Sequence, residues 1–224
     1  MKAERRRITL VLGTVLCLIM GGLCSCGESR QKNPPGQGAK LITVTGDVTV
    51  NGKAVSTPID LAVADVLRVP QSGLARIQYP DGSRFLILGR APSGSEFTVG
   101  KETNEGGVKV VLMKLARGLL SFAVRADSKE KRFEIEAISS LTVVRGTEGK
   151  VQTAPEGDLV ALKHGRVEVS GKPQKSTVNL QEGFSVQVSP QGVVSAPKPY
   201  DFSEASEREL YEVGPLQMKT IGGN

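Results

Sequence analysis

The residues able to do chemistry in this chain are few and scattered. One histidine, His164, and three cysteines, Cys17, Cys24 and Cys26, occur without a second ligand-type residue at metal-binding spacing. A single histidine beside the glycine that opens a strand is expected to be structural. Ser93-Gly94-Ser95 lies in the glycine-rich stretch 89–94, which lacks the strand-loop-helix setting and the Gly-Lys-Ser/Thr ending of a phosphate loop. Asp60, Asp65 and Asp81 would hold a hard cation only by meeting in space, and acidic turn residues are expected to face water. Arg145 is the most distinctive polar residue, because Gly146-Thr147 follows it as a turn signal. Its fork of donors is expected to bond carbonyls or a carboxylate inside the domain, with presentation to a ligand as the other reading. No cofactor, metal or catalytic group is expected, and enzyme activity is not.

The N-terminus sets where these residues work. Lys2, Arg5, Arg6 and Arg7 precede an apolar run from Ile8 to Leu23, which ends in Leu23-Cys24-Ser25-Cys26. A basic start, an apolar centre and small residues at the end describe an export signal. The run is shorter than the roughly 20 residues that span a bilayer. Leucine three places before a cysteine, with serine just before it, resembles the lipobox of bacterial lipoprotein signal peptidase. Residues 1–25 are therefore expected to leave, with Cys26 as the lipid-bearing first residue. Gly27 in the next position leans towards the outer membrane, facing the periplasm or the surface. The signal carries four basic residues and one acidic one, half of the formal +6. What remains is mildly basic, has no tryptophan and shows no basic face with stacking aromatics, which argues against nucleic acid.

The elements around these residues are short. Residues 26–40 hold no large apolar side chain and read as a flexible tether. From Leu41 to about residue 195 the chain is rich in Val, Leu, Ile and Gly, in short alternating stretches that predict an all-β domain. Asn51-Gly52 and Pro80-Asp81-Gly82-Ser83 are turn signals. Phe85 to Leu88 reads as a strand buried on both faces. Residues 89–107 read as mostly loop, with one strand near Phe97 to Val99. Val108 to Leu115 and Leu119 to Val124 flank Ala116-Arg117-Gly118 as a second hairpin. Further strands are expected at Phe133 to Ala137, Leu141 to Val144, Lys150 to Thr153, Asp158 to Lys163, Arg166 to Val169, Ser176 to Leu180 and Phe184 to Val188. Residues 46–69 align without a gap to 165–188, with identities from Gly46/Gly165 to Val69/Val188. That repeat suits hairpins arranged as a compact barrel or sandwich, or as a short solenoid. In the tail, 196–224, Ser206 and Glu209 form a capping-box pattern that predicts a short helix within Asp201 to Val213.

Three stretches together resemble the FecR-type domain, an extracytoplasmic β module of bacteria. They are Leu74 to Ser83, then Leu115 to Phe122 with Phe133 to Ala137, then Val143-Val144-Arg145-Gly146-Thr147 leading into Gly165 to Val169 and Leu180 to Phe184. The resemblance covers about residues 41–190. Glu148-Gly149 stands where the family often has an aromatic. The namesake iron-transport regulators carry a cytoplasmic anti-sigma segment, a membrane helix and a receptor-contacting region, and seven residues before the apolar run are too few for the first. The resemblance therefore implies the module more than the namesake's task. The function expected is a non-catalytic, lipid-anchored binding or scaffolding module of the cell envelope, with a protein or glycan partner. The alternative is a signal-relay component of a sigma-factor or iron-uptake circuit.

Overall fold

The structure, a computed structural model, describes residues 35–90, 92–125, 131–173 and 176–202. Among them every regular element is a strand: β1 (Pro35–Thr45), β2 (Thr49–Val50), β3 (Lys53–Ala54), β4 (Ile59–Ala62), β5 (Val66–Val69), β6 (Leu74–Gln78), β7 (Arg84–Leu88), β8 (Ser95–Glu105), β9 (Val108–Ala123), β10 (Lys131–Glu136), β11 (Ser140–Val144), β12 (Glu148–Ala154), β13 (Gly157–His164), β14 (Arg166–Gly171), β15 (Thr177–Gln181), β16 (Phe184–Val188) and β17 (Lys198–Pro199). The all-β expectation holds. The expected C-terminal helix finds no support: Asp201 and Phe202 are not helical, and the rest of it, like Cys17, Cys24 and Cys26, lies outside the described residues.

Backbone pairing sorts the strands into two sheets. The first runs β4-β1-β6-β7-β9-β12-β13-β16-β17. The second runs β3-β2-β5-β8-β9-β10-β11-β14-β15. Among the described residues only β9 and β10 pair in parallel. Neither row returns to its first strand, so no barrel closes. A solenoid is also set aside, because strands are laid on either side of β9 rather than coil upon coil. Inward side chains of both sheets form one apolar cluster, with period-two pairs such as Ala75/Ile77, Phe133/Ile135 and Val167/Val169. Burying each large side chain there contributes about 1.5–3 kcal/mol before entropy is counted.

β9 differs from the expected hairpin. Val108 to Leu115 and Leu119 to Ala123 form one strand of 16 residues. Its first part pairs with β8 and β10 and its last part with β7 and β12, so the strand passes from one sheet into the other. Gly118, at φ +96°, makes the bend, and a Cβ there would overlap the Ser95 side chain. A hairpin would require a reversal of direction, which one left-handed residue does not supply. Residues 95–105 form a long strand rather than a loop, because the polar stretch Lys101–Glu105 pairs with Val108–Leu112, whose other edge is held by β10. Asn51 and Gly52, at φ +52° and +74°, form the expected turn between β2 and β3. Phe85, Leu86 and Ile87 are buried as expected of a doubly covered strand.

Residues 35–40, expected as tether, open β1, and Ala39 is buried: small side chains enter a sheet without an apolar signature. The repeated segments do not occupy equivalent places. β4 lies in the first sheet and its aligned partner β15 in the second, while β5 and β16 are exchanged the other way. Short Val- and Gly-rich strands align at any shift that preserves alternation, so the repeat is one of pattern rather than position.

Candidate functional site

Asp81, Arg145, Gly146, Thr147 and His164 lie at one end of the sandwich, where the turns after β6, β11, β13 and β15 meet, whereas Asp65 and Ser95 lie elsewhere. In the turn after β6, the Tyr79 amide donates to the Ser83 carbonyl and the Gly82 amide to the Tyr79 carbonyl, each at 2.9 Å. Asp81 Oδ1 accepts from the Ser83 amide at 2.8 Å. Asp81 Oδ2 makes no hydrogen bond but lies 3.5 Å from Lys131 Nζ. Lys131 sits over the rings of Tyr79 and Phe133, 4.8 and 4.9 Å from their centroids, and those rings pack with Phe85 at 5.0–5.6 Å. Burial first, then the charges of Asp81 and Glu102, push the Tyr79 phenol well above its ordinary pKa, so it stays neutral. The Pro-Asp-Gly-Ser motif thus seats a lysine over an aromatic cluster, closing the core at this end.

At the turn between β11 and β12 the three residues Arg145, Gly146 and Thr147 divide. Thr147 is buried, its carbonyl accepts the Val124 amide at 2.9 Å, and a Cβ on Gly165 would stand 2.7 Å from its methyl group. Gly146 takes a left-handed φ of +62°. These two shape the passage from one sheet to the other. Arg145 is exposed, with no hydrogen bond or ion pair among the described residues, so the internal role expected for it is not what the structure shows. Continuing the β11–β14 register by one step from Val144↔Val167 sets Arg145 opposite Arg166, also exposed. Like charges so placed are mildly destabilising.

The acidic residues do not converge. Asp60 pairs with Lys40 at 3.7 Å. Asp65 accepts from Asn51 Nδ2 and the Ala62 amide, both at 2.7 Å. No group of His, Cys, Asp and Glu among the described residues could hold a metal ion. His164 is exposed at the end of β13, opposite Glu148. Ser95, expected in a loop, starts β8 and its hydroxyl donates to the Leu88 carbonyl while accepting the Leu119 amide at 3.2 Å. At the opposite end, a cleft of about 440 Å³ is lined by Gln152, Leu159, Gln187, Val193 and Ser195 with Glu156. It offers amides and hydroxyls for binding but one free carboxylate, too few for paired acid–base work.

Two residues escaped sequence reasoning. Asp158 is 2% exposed and accepts from the Ser139 amide and the Ser140 hydroxyl, each at 2.8 Å, tying β13 of the first sheet to the β10–β11 turn of the second. Lys150 is 1% exposed on the outward face of β12, its ammonium bonded to the Tyr200 hydroxyl and 4.6 Å from that ring's centroid. Its alternation with Val151 was visible, but nothing in sequence placed Tyr200 over it.

A two-layer β module with structural acids and an exposed arginine is what these residues define. Residues 65–168 match the model of the family described as FecR protein, and this stretch, β5 to β14, is a FecR domain. Its crystal-structure neighbours include a candidate anti-sigma factor from Parabacteroides distasonis ATCC 8503, 19% identical over 66% of this chain, with a TM-score of 0.51. A second structure of the same description is 20% identical over 61% of this chain, at a TM-score of 0.49. The chain covers 65% and 60% of those two chains, less than two thirds of their length. The likeness is one of fold. No curated protein matches.

Proposed function

We propose that this chain is a non-catalytic relay component of a sigma-factor regulatory circuit, whose FecR domain binds a protein partner on the envelope side. The observation that carries the reading is the FecR match over residues 65–168. The name of the Parabacteroides neighbours, candidate anti-sigma factors, points the same way. In this reading Cys26 carries lipid and holds the module at the membrane, and a partner conveys the signal to the sigma factor. The arrangement suits binding rather than reaction: buried carboxylates are committed to structural donors, and exposed Arg145 and Arg166 are the groups presented. A tethered scaffold without signalling is the second reading, favoured by the lipobox-like Leu23-Cys24-Ser25-Cys26.

In-cell cross-linking of the tagged full chain, with transcript profiling after deletion of its gene, separates the two. The relay reading expects an anti-sigma protein or receptor among the captured partners and a coherent change in one sigma-dependent set of transcripts. Capture of cell-wall assembly components alone, with no such change, would replace it by the scaffold. The parent chain is expected to take palmitate label and a Cys26→Ser chain to lose it; no label on the parent would remove the anchor from both readings, and label retained by Cys26→Ser would overturn Cys26 as the lipid site.

A further inference from the structure

The outward face of the second sheet holds most of its arginines on carboxylates. Arg68 and Arg117 both lie on Glu96, at 3.0 and 3.3 Å. Arg132 donates from Nε to Glu134 at 2.9 Å and from Nη2 to Glu105 at 2.7 Å. One step beyond Phe133↔Val144, the β10–β11 register sets Arg132 opposite Arg145. The same step beyond Val144↔Val167 sets Arg145 opposite Arg166, whose other neighbour is Gln181 on β15. Three arginines therefore stand in a row across β10, β11 and β14. The first is bonded to two carboxylates. Arg145 and Arg166 are exposed and have no hydrogen bond or ion pair among the described residues.

Two guanidinium groups on neighbouring strands, about 4.8 Å apart at the backbone, repel one another. Carboxylates lie close by in the register but are used otherwise. Glu168 is outward on β14, two residues from Arg166 and opposite Val143. It is exposed and forms no ion pair among the described residues. Glu182, just beyond Gln181, accepts the Gly165 amide at 3.3 Å. The backbone beneath the arginines is firmly seated, since Val144 and Val167 are at most 2% exposed. A carboxylate entering between the two forks relieves the repulsion, because its two oxygens can accept from both.

The neighbours select the kind of anion. A negatively charged lipid surface laid on this corner would press on Glu168 and Glu182 as well as on the arginines. A single acidic side chain would not, and a basic or neutral residue beside it suits Glu168. Val143, half-buried between Glu134 and Glu168 in the next row, adds an apolar contact.

We propose that Arg145 and Arg166 form a clamp for one acidic side chain of a protein partner, its carboxylate taken by both guanidinium forks, with a basic or neutral residue next to it. That the acid is carried by a partner in a regulatory circuit rests on the relay reading; the clamp itself does not.

NMR titration of the full chain in detergent tests it, read at arginine Nε–H signals assigned by substitution. The probes are the blocked peptide acetyl-Gly-Asp-Lys-Asp-Gly-amide and its counterpart with asparagine for aspartate. Arg145 and Arg166 are expected to shift together and saturably with the first peptide and not with the second, while Arg68 and Arg117 stay in place. Arg145→Glu is expected to weaken binding by roughly tenfold or more, as loss of a close charge pair does, while melting no lower than the parent. Arg145→Lys keeps the charge without the fork and is expected to weaken it too. If Arg145→Glu does not fold, Arg145→Gln and Arg166→Gln carry the same expectation. No saturable shift, an equal shift at all four arginines, or undiminished binding by these folded variants overturns the proposal. So does a shift of the pair with phosphatidylglycerol vesicles but not with the peptide, which would assign the site to lipid. A shift with protein concentration alone would assign it to a second copy, and likewise overturns it. The relay reading fails separately: peptide binding with no transcript change on gene deletion keeps the clamp and removes the relay. A deletion phenotype that Arg145→Glu does not reproduce keeps the relay and removes the clamp as its partner site.

Discussion

Replacing Asp158 with alanine tests whether the two layers are tied by a buried carboxylate. One oxygen accepts both the Ser139 amide and the Ser140 hydroxyl at 2.8 Å, in a site 2% exposed. Removing it strands two buried donors, each costing about 1–3 kcal/mol. Oδ1 has no partner in the structure, so its own desolvation cost disappears with it and offsets part of the loss. The net expectation is about 3 kcal/mol, or a fall in Tm of about 6–12 °C for a domain of this size. Urea denaturation followed by circular dichroism reads the first figure and calorimetry the second. Ser140→Ala alone should cost about 1 kcal/mol, and nearly nothing once Asp158→Ala is present, because the hydroxyl then has no acceptor to lose. Additive losses, or an Asp158→Ala chain within about 0.5 kcal/mol of the parent, would refute the reasoning, since surface-like substitutions fall in that range.

Gly118→Ala should cost about 3 kcal/mol in the same assay, combining a left-handed backbone with overlap on the Ser95 side chain. Arg145→Ala should leave stability within about 0.5 kcal/mol, and Arg145→Glu should gain a few tenths to about 1 kcal/mol by facing Arg166; a large loss in Tm for Arg145→Ala would return that residue to an internal role. Glu136 has its pKa raised by burial but lowered further by hydrogen bonds from Lys172 and Lys114, so the net shift is down from 4.5. Its contribution is therefore complete above about pH 4.5 and disappears as pH falls through the lower folded value. Glu136 is partly exposed and screened, so Glu136→Gln should cost only about 0.5 kcal/mol at neutral pH and nothing below the folded pKa, as pH-dependent denaturation would show.

How far sequence carried the fold depended on whether a signal was local. Strands such as Phe133 to Ala137 and Leu141 to Val144 announced themselves by alternation, and Asn51-Gly52 by turn chemistry. The path of β9 did not, because Ala116-Arg117-Gly118 suits a turn as well as a bend, and only pairing with β7 and β12 decides. Polar Lys101–Glu105 lacked apolar contrast and so hid a strand whose partner stabilises it from outside. At the candidate site the Pro-Asp-Gly-Ser turn was legible, whereas the Lys131 that its aspartate holds looks, in sequence, like part of a solvated basic cluster. Asp158 and Lys150 were illegible for the same reason: their partners, Ser139-Ser140 and Tyr200, are distant in sequence and come together only in the folded module.

β9 has a consequence for how the module is made. It is the fifth of nine strands in each sheet, so its two ends are middle strands of different layers. A chain emerging N-terminus first can lay β8 and β7 against it at once, but its other edge stays bare until β10 and β12 arrive. Between those moments an unpaired strand is open to capture by other chains. Once both edges are filled, neither layer can peel away without disrupting the strand that completes the other. The assembled module should therefore open as one cooperative unit, with its vulnerable interval confined to synthesis.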